Sequence, residues 1–455
     1  MATAYQINVP ASDTGLLKVH QPDETAKKLS SLLQQDLETH HVFFNMEGFH
    51  NHIPHHMLSL YGTGASASTI QASYNQNANY QRPAQKTHPG VADALEADWA
   101  SEAPKNLGNG SRYADFLLFF QREIERASSL PEVCSGRLTA HEAVLNEFLF
   151  KGDPRAEDML QRMFAGFLHP IIQLMFGVEW SQPAIVAEAL AQAAVHKNNL
   201  KEFLEEAESR ARTSPSGANA PSIAELYERI GADNKLRKAP RMSDANKIHD
   251  GILVRAPEEM FEIVKHVRVR EDEVDEKTAE MFEMAVWMAA GAALRPGKMA
   301  KHHVNSAPIF LTFNKMSWLS AANKARILEW KIRMDLVQYA ARGTPDIRFD
   351  MVKEYKPQDA RNGKPLVQKH QDLLPRFHAL HSDDGHTIKL IRALSICEEL
   401  VQKYNDRPWK KVTSPDTWLK MHYMVLDGAE DSSATWVRSA GFDEAWKEVP
   451  SPKLA

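Results

Sequence analysis

Apolar residues recur along this chain at intervals of three and four positions, the spacing that places them on one side of an α-helix. This spacing coincides with helix-forming residues in seven segments, at residues 115–127, 140–150, 156–176, 183–212, 279–294, 321–339 and 387–404. Alternating β-branched residues, which would indicate strands, are rare. The pattern therefore predicts an all-α protein.

Polar segments rich in proline, glycine and asparagine separate the predicted helices, at residues 81–83, 105–110, 213–217, 219–221 and 353–375. No period of about 20 to 50 residues repeats, which argues against a helical solenoid. The length of 455 residues would allow two or three average domains. We nevertheless predict a single large multi-helix domain over residues 1–455 with long loops, an ordered core over about 25–425 and a polar C-terminal tail.

Composition narrows the class of protein further. The net charge is −5 and the basic residues are spread along the chain, so we expect no nucleic-acid partner. The longest apolar run, residues 281–294, contains Glu283 and is shorter than the roughly 20 residues that cross a bilayer, so we expect a buried helix there and no membrane association. The first residues do not resemble a secretory signal, and Cys134 and Cys397 are too few for a disulfide framework, so we expect a reducing, cytoplasmic environment.

The segment from Phe49 to His56 contains four histidines within seven positions: His50, His52, His55 and His56. Neutral histidine is the commonest metal ligand among side chains, so the cluster predicts a metal site. Pro54 fits the first position of a helix, which places His52 just before that helix. Adjacent histidines rarely reach one ion together, so one or two ligands are expected here. The alternative is a histidine-rich helix start with ordinary hydrogen bonds, because no H-E-x-x-H spacing is present.

Several common catalytic motifs are absent from the sequence. The segment Gly62-Thr63-Gly64-Ala65-Ser66-Ala67 resembles a dinucleotide fingerprint, but a helical stretch precedes it, so we interpret it as a helix end. The chain has no phosphate-binding loop, no G-x-S-x-G nucleophile motif and no C-x-x-C pair. The chemistry is therefore expected to depend on histidines.

Three later places carry histidines in apolar surroundings: His169 before Pro170, the pair His302 and His303, and His386 at a predicted helix start. Each one alone is more typical of a hydrogen-bonded structural histidine. Lys389 shares a helix face with His386 but, as a cation, has no lone pair for a metal. From the residues alone, Lys389 is expected to form a salt bridge with Asp383 or Asp384.

Blocks of the sequence closely resemble the questin oxidase-like family, in the same order from about residue 43 to beyond 418. They are Phe49-His50-Asn51-His52-Ile53-Pro54-His55-His56, Gly64-Ala65-Ser66, Tyr80-Gln81-Arg82-Pro83, Gly166-Phe167-Leu168-His169-Pro170, Gln182-Pro183-Ala184-Ile185, Arg295-Pro296-Gly297-Lys298, His302-His303-Val304 and Asp383-Asp384-Gly385-His386-Thr387-Ile388-Lys389. The resemblance implies an oxygenase of fungal polyketide secondary metabolism that opens the ring of an anthraquinone such as questin.

The resemblance also implies a non-haem iron held in the helical core by four histidines and a lysine carboxylated on its side-chain nitrogen. Transferred to this chain, the ligands are His52, His169, His302, His386 and Lys389. The choice of His52 among its neighbouring histidines and of His302 over His303 stays open. Carboxylation would turn Lys389 into an anionic oxygen donor, and Asp383 and Asp384 would orient a ring N–H. Gln173 stands where the family pattern leads us to expect histidine.

The implied reaction uses Fe(II) and O2, and is described for the family as Baeyer–Villiger-type or as oxidative ring cleavage. If it consumes NADPH, that cofactor binds without a Rossmann unit, or a separate reductase supplies electrons. Three histidines are acid–base candidates: His55, His56 and His196. Five aromatic residues are candidates for the pocket of a flat substrate: Phe49, Tyr61, Phe167, Trp180 and Trp287. Arg295 and Lys298 are either phenolate contacts or part of a solvated helix end.

Two other classes of protein fit the same residues. A cofactor-free oxygenase or hydrolase would use the histidines as bases only. A non-catalytic helical protein would bind an aromatic polyketide without turnover. Iron content and turnover under O2 separate both alternatives from the iron oxygenase.

Overall fold

Short polar side chains and prolines mark where many helices begin. In the computed structural model, Ser66, Asp153 and Ser320 each accept a hydrogen bond from a backbone N–H in the first turn of the helix that follows. These bonds satisfy donors that have no partner inside the helix. Pro54 and Pro183 lie in the first turns of their helices, where their missing N–H costs nothing.

The structure describes residues 1–214, 221–292, 302–380, 383–430, 437 and 439–447. Within these residues there are 24 α-helices and no β-sheet, so the all-α prediction is confirmed. In chain order the helices are α1 (Asp23–Thr39), α2 (Ile53–Gly62), α3 (Ala67–Ala78), α4 (Val91–Ala97), α5 (Trp99–Asn106), α6 (Tyr113–Ala127), α7 (Pro131–Cys134), α8 (Ala140–Leu145), α9 (Pro154–Met163), α10 (Ala165–Glu179), α11 (Pro183–Val195), α12 (Lys201–Thr213), α13 (Ile223–Ala232), α14 (Asn234–Lys238), α15 (Pro257–Val264), α16 (Val274–Gly291), α17 (His302–Ser306), α18 (Pro308–Lys315), α19 (Ala321–Ala341), α20 (Phe349–Lys353), α21 (Gln358–Arg361), α22 (Leu374–His378), α23 (His386–Val401) and α24 (Pro415–Glu430).

The described residues form two compact units. The first comprises residues 1–201, 315–319 and 381–392, and the second comprises residues 202–314, 320–380 and 393–455. The prediction of one domain over residues 1–455 stays a prediction. In the first unit, α11 is buried along its whole length between α6 and α10, and α2 packs against α1, α3 and α10. These contacts fix α2, which carries part of the histidine cluster.

Two predicted helices are each divided in two. In the segment 183–212, α11 ends at Val195 because His196 has an extended backbone. A second helix, α12, begins at Lys201. The segment 156–176 contains the end of α9 and then Gly166, Phe167 and Leu168, all three in the left-handed region. Apolar spacing continues through both breaks, so periodicity alone did not reveal them.

The predictions at 115–127, 321–339 and 387–404 are confirmed within one turn by α6, α19 and α23. In the predicted helix 140–150, α8 ends at Leu145 and the chain continues as the π-helix Asn146–Phe150. The helix predicted from residue 279 begins earlier, at Val274.

The apolar run 281–294 lies in the buried helix α16 as far as Gly291. Residues 293 and 294 lie outside the residues that the structure describes. The glycine-rich segment after Tyr61 ends α2, as predicted, and Gly64 adopts a φ of +89° there. Among the described residues, no helix is both long and apolar enough to cross a membrane.

Candidate functional site

The start of α2 is anchored by Asn51. Its Oδ1 accepts a hydrogen bond from the backbone N–H of Ile53 at 2.9 Å, and its Nδ2 donates to both carboxylate oxygens of Asp36 at 2.9 and 3.1 Å. His52 follows as the residue before the helix, as the sequence predicted. Because Asn51 is held by α1 on one side and by α2 on the other, the position of His52 is fixed from both sides.

His52 and His169 approach each other through their ring nitrogens. The two Nε2 atoms lie 3.1 Å apart, and both rings are buried. His169 Nδ1 lies 2.7 Å from the carbonyl oxygen of Gly166, which can only accept, so the proton of the neutral ring is on Nδ1. The Nε2 lone pair of His169 therefore points at His52. Either a proton on His52 Nε2 or a cation between the two nitrogens stabilises this contact.

The backbone before His169 is strained. Gly166, Phe167 and Leu168 have φ values of +54°, +55° and +67°, and each non-glycine residue in this region costs on the order of 1 to 2 kcal/mol. A Cβ on residue 166 would lie 2.5 Å from His196 Nε2, so only glycine fits beside that ring. Such strain persists where the surrounding structure enforces it, often at functional sites. Here it turns the Gly166 carbonyl towards His169.

His386 begins α23 and faces the same place. Its ring meets the His52 ring edge to face, with centroids 4.4 Å apart. Asp384 Oδ1 lies 2.7 Å from His386 Nδ1, so the carboxylate accepts the Nδ1 proton and the lone pair of the neutral ring is on Nε2. Asp383 instead accepts hydrogen bonds from the backbone N–H groups of Gly385, Thr387 and Ile388 at 3.0 to 3.1 Å. Asp384 therefore orients the imidazole, whereas Asp383 holds the helix start.

Lys389 lies one turn into α23 and is only 4 % exposed. Among the described residues its ammonium makes no hydrogen bond and no ion pair, and neither Asp383 nor Asp384 forms the salt bridge expected from the residues alone. Burial lowers the pKa of Lys389 to about 8, and the two aspartates only partly oppose this shift. The same amine contributes to the lowered pKa values of His52, His55 and His169. Lys389 therefore interacts electrostatically with the histidine cluster.

His50 was left out of the predicted ligands but lies inside the cluster. Its ring stacks on the His169 ring with centroids 3.9 Å apart and planes within 6°. Its Nε2 lies 2.8 Å from Nε2 of His196, the predicted acid–base residue at the end of α11. Burial, and to a smaller extent Arg162, lowers the pKa of His196 to about 4. His50 and His196 thus form a second imidazole pair that sequence spacing could not reveal.

His55 and His56 point to different partners. His55 Nε2 lies 2.5 Å from Gln173 Oε1, and Gln173 Nε2 donates to Glu188 Oε2 at 2.9 Å. Gln173, which stands where the resemblance leads us to expect histidine, is therefore the direct partner of a predicted acid–base histidine. His56 Nδ1 lies 3.2 Å from Asn77 Nδ2. Burial lowers the pKa of both rings, so both are neutral at pH 7.

The structure does not place the His302 side chain, which lies outside the described residues together with Arg295 and Lys298. His303 is described and belongs to the second unit. Its Nδ1 lies 2.5 Å from Asp335 Oδ1, and Lys331 Nζ contacts the same carboxylate at 2.5 and 2.6 Å. A carboxylate partner of this kind orients metal-binding histidines elsewhere. The prediction that His302 rather than His303 binds the metal therefore stays untested.

The predicted pocket aromatics separate into several groups. Trp180 is fully buried between the Phe176 ring and the Arg392 guanidinium, and Tyr61 is buried in α2. Phe167 is 50 % exposed on the strained turn. In the second unit, Trp287 packs near Tyr227. Phe49 is half-buried beside Phe44. A substrate contact for these five residues stays a prediction.

Glycine at position 385 is required by both backbone and space. Its φ is +90°, and a Cβ there would lie 2.7 Å from the His56 Cβ. We expect Gly385→Ala to lower the free energy of unfolding by about 2 to 4 kcal/mol, because the left-handed penalty adds to the clash. Gly64 is the matched control, since its φ is +89° with nothing within 4 Å of its Cβ position. Gly64→Ala should cost only about 1 to 2 kcal/mol in urea unfolding. Equal effects would contradict the contact with His56.

The neutral histidines make stability depend on pH. Burial, together with Lys389, lowers the pKa of His169 from 6.5 to about 3. In the unfolded chain, His169 takes up a proton at a higher pH than in the folded protein. Its contribution to the free energy of unfolding is therefore complete above about pH 6.5 and is lost as the pH falls towards 3. We expect the free energy of unfolding of metal-free protein to fall between pH 7 and 5. His169→Gln should reduce this slope, whereas the exposed His249→Gln should not. An unchanged slope in His169→Gln would contradict the assigned pKa.

The donor set fits a transition-metal ion. The His52 and His169 rings are parallel within 4° and their Nε2 atoms lie 3.1 Å apart, as in an N–H···N hydrogen bond. Two nitrogens bound to one ion at about 2.1 Å and at right angles also stand about 3.0 Å apart, so an ion could replace the shared proton if the rings turn. His52, His386 and Asp384 each offer a donor atom, and these atoms lie within 4.8 Å of one another. Imidazole ligands suit iron, zinc, copper and nickel. The cluster of His52, His169, His386 and Lys389 is therefore the candidate metal centre.

Comparison with known proteins identifies the family of the chain. The family model for questin oxidase-like proteins matches residues 49–394. The chain is 32 % identical over 464 residues to the Baeyer-Villiger oxidase ptaJ of Pestalotiopsis fici, with 99 % of each chain covered. It is 32 % identical to the questin oxidase of Aspergillus fumigatus, covering 99 % of this chain and all of the relative. It is 34 % identical to the Baeyer-Villiger monooxygenase dmxR6 of a Cryptosporiopsis species, with 99 % of each covered. The chain belongs to the questin oxidase-like family and is an oxidoreductase.

Proposed function

We propose that this protein is an oxygenase that opens the central ring of an anthraquinone such as questin, using non-haem iron. In the first unit, the iron ligands are His52, His169, His386 and a carboxylated Lys389. The observation that carries the proposal is the convergence of the His52 and His169 Nε2 atoms, 3.1 Å apart, beside a buried lysine without a salt bridge. The substrate class rests on the names of the relatives, a questin oxidase and Baeyer-Villiger oxidases.

Carboxylation of Lys389 is supported by its environment. Only a neutral amine has the lone pair that adds to CO2. With a pKa of about 8, roughly a fifth of Lys389 is neutral at pH 7.4, compared with about one in a thousand for an exposed lysine. The product is an anion, which the surrounding neutral imidazoles and a cation accommodate better than apolar walls alone. Burial thus favours both the reaction and its product in the presence of metal.

When bound, Fe(II) supplies the electron transfer to O2 that side chains of this kind cannot perform. The protein's own groups have separate tasks. Asp384 and the Gly166 carbonyl hold the Nδ1 protons of His386 and His169, so that both rings present Nε2. The His50–His196 pair holds a proton between its two Nε2 atoms, and the lowered pKa of His196 keeps its ring neutral at pH 7. Burial of the cluster excludes water from reactive species.

The source of the added oxygen atoms separates two reaction types. Opening an anthraquinone to a benzophenone carboxylic acid with a new phenol adds one oxygen atom and the elements of water. With O2 as the oxidant this consumes two electrons from NADPH or a reductase, whether O2 supplies both added atoms or supplies one and is otherwise reduced to water. The test is an anaerobic reconstitution with Fe(II), followed by questin and O2 with and without NADPH. Iron-dependent formation of a ring-opened carboxylic acid supports the proposal. Full turnover by chelated, iron-free protein would show a cofactor-free oxygenase, and tight binding without turnover would show a binding protein.

A further inference from the structure

A second group of donor side chains lies in the second unit. His370 begins the 3-10 helix His370–Leu373, Glu398 lies on α23 and His422 lies on α24. One donor atom from each residue lies within 4.8 Å of the others. We propose that His370, Glu398 and His422 bind a divalent metal ion of the zinc class, which ties these three elements together. This inference does not depend on the proposed function.

Two polar atoms of this group are buried without a hydrogen bond. Among the described residues, neither His370 Nε2 nor Glu398 Oε2 has a hydrogen-bond partner, although His370 is only 8 % exposed. Glu398 Oε2 lies 2.9 Å from His370 Nδ1, yet the ring N–H does not point at the oxygen well enough to donate. Two ligand atoms that bind one ion at right angles, each about 2.1 Å from it, stand about 3.0 Å apart. Both lone pairs then point at the ion, and neither atom points at the other. The misaligned imidazole at 2.9 Å compensates the burial of this carboxylate oxygen only in part.

His422 is oriented as metal-binding histidines are. Its Nδ1 lies 2.9 Å from the carbonyl oxygen of Trp418, so Nδ1 carries the proton and Nε2 presents a lone pair. The neighbour of that lone pair is the Ser395 hydroxyl at 3.4 Å, a long contact for a hydrogen bond. His422 therefore offers a fixed nitrogen to an ion.

The rings of His370 and His422 are stacked, with centroids 4.2 Å apart and planes within 8°. Because these two rings are stacked face to face, their nitrogen lone pairs lie in separate parallel planes, and one ion can bind both nitrogens only if a ring turns. His422 is held by the Trp418 carbonyl, whereas His370 lies in a short 3-10 helix and its Nε2 has no partner in the described part of the chain. We therefore assign the movement to His370. Glu398 remains partly exposed, which gives the ion a route of entry.

The test uses full-length, metal-free protein in which His52→Ala and His386→Ala have removed imidazoles of the first-unit cluster. Zn²⁺ is titrated by calorimetry, and bound zinc per chain is measured after desalting. We expect one zinc ion per chain. Adding His422→Gln should weaken zinc binding by more than about 30-fold, and Glu398→Gln should weaken it by about 10-fold or more. His266→Gln, in the same unit but outside the group, should leave binding unchanged.

Absence of stoichiometric zinc in the His52→Ala/His386→Ala protein would overturn the inference, as would equal zinc binding after both His422→Gln and Glu398→Gln. Circular dichroism checks that each variant is folded. If His422→Gln does not fold, zinc binding by Glu398→Gln, which changes a partly exposed side chain, tests the inference alone. Iron binding and turnover are measured separately in otherwise unchanged His422→Gln protein. If the parent protein does not bind iron or turn over substrate, the proposed function is wrong but the zinc site is not affected. The two proposals can therefore fail independently.

Discussion

Lys389→Ala should abolish stable iron binding and lower turnover of an anthraquinone by more than about 100-fold, because it removes an anionic ligand rather than an outer-shell partner. The reason lies in the burial of Lys389, whose ammonium makes neither a hydrogen bond nor an ion pair among the described residues. The measurements are iron per chain after anaerobic reconstitution and the initial rate with questin.

Two further variants separate a carboxylated lysine from a simple cation. Lys389→Arg keeps the positive charge but cannot form the carbamate, so it should be as inactive as Lys389→Ala. A short carboxylate such as propionate should partly restore iron binding to Lys389→Ala, because it supplies the lost oxygen donor in the vacated space. The exposed Lys86→Ala is the control and should behave like the parent protein. Activity retained in Lys389→Arg would rule out the carbamate.

His169→Ala should remove the stabilisation of the protein by Fe(II). At 100 times its dissociation constant, a ligand raises the free energy of unfolding by about 2.7 kcal/mol. The parent protein should show a shift of this size, and His169→Ala should show none, because it loses one of the two nitrogens that lie 3.1 Å apart. Urea unfolding with and without Fe(II) under anaerobic conditions measures both values.

The matched control for His169→Ala is His41→Ala. His41 is also a buried imidazole of the first unit, and burial lowers its pKa to about 4, but its ring packs against Phe43 and Tyr113. His41→Ala should destabilise the metal-free protein while keeping the Fe(II)-dependent increase. A comparable loss of that increase in both variants would mean that it reports general damage to the unit and not a lost ligand.

Local signals in the sequence were sufficient for the all-α class, for the ends of α2 and for the position of His52. Pro54 fixed the start of α2, and the glycines after Tyr61 fixed its end. The breaks at His196 and at Gly166 were not visible, because apolar periodicity continues through them and because Phe167 and Leu168 rarely adopt left-handed backbone. Those breaks bring His169 and His196 to the cluster.

The site itself depends on contacts between distant parts of the chain. His52 and His169 are 117 positions apart, and no spacing rule connects them. The resemblance to a family nominated both, but it did not nominate His50, whose stacking on His169 follows from tertiary packing. It also could not show that Gln173 connects His55 to Glu188.

The most direct measurement is a crystal structure of the Fe(II)-loaded protein, prepared without oxygen and with bicarbonate, with anomalous data at the iron absorption edge. The proposal predicts one iron peak within about 2.3 Å of the Nε2 atoms of His52, His169 and His386, with planar additional density on Lys389 Nζ that also reaches the metal. An iron peak elsewhere, or an unmodified Lys389 that does not contact it, would contradict the proposed centre.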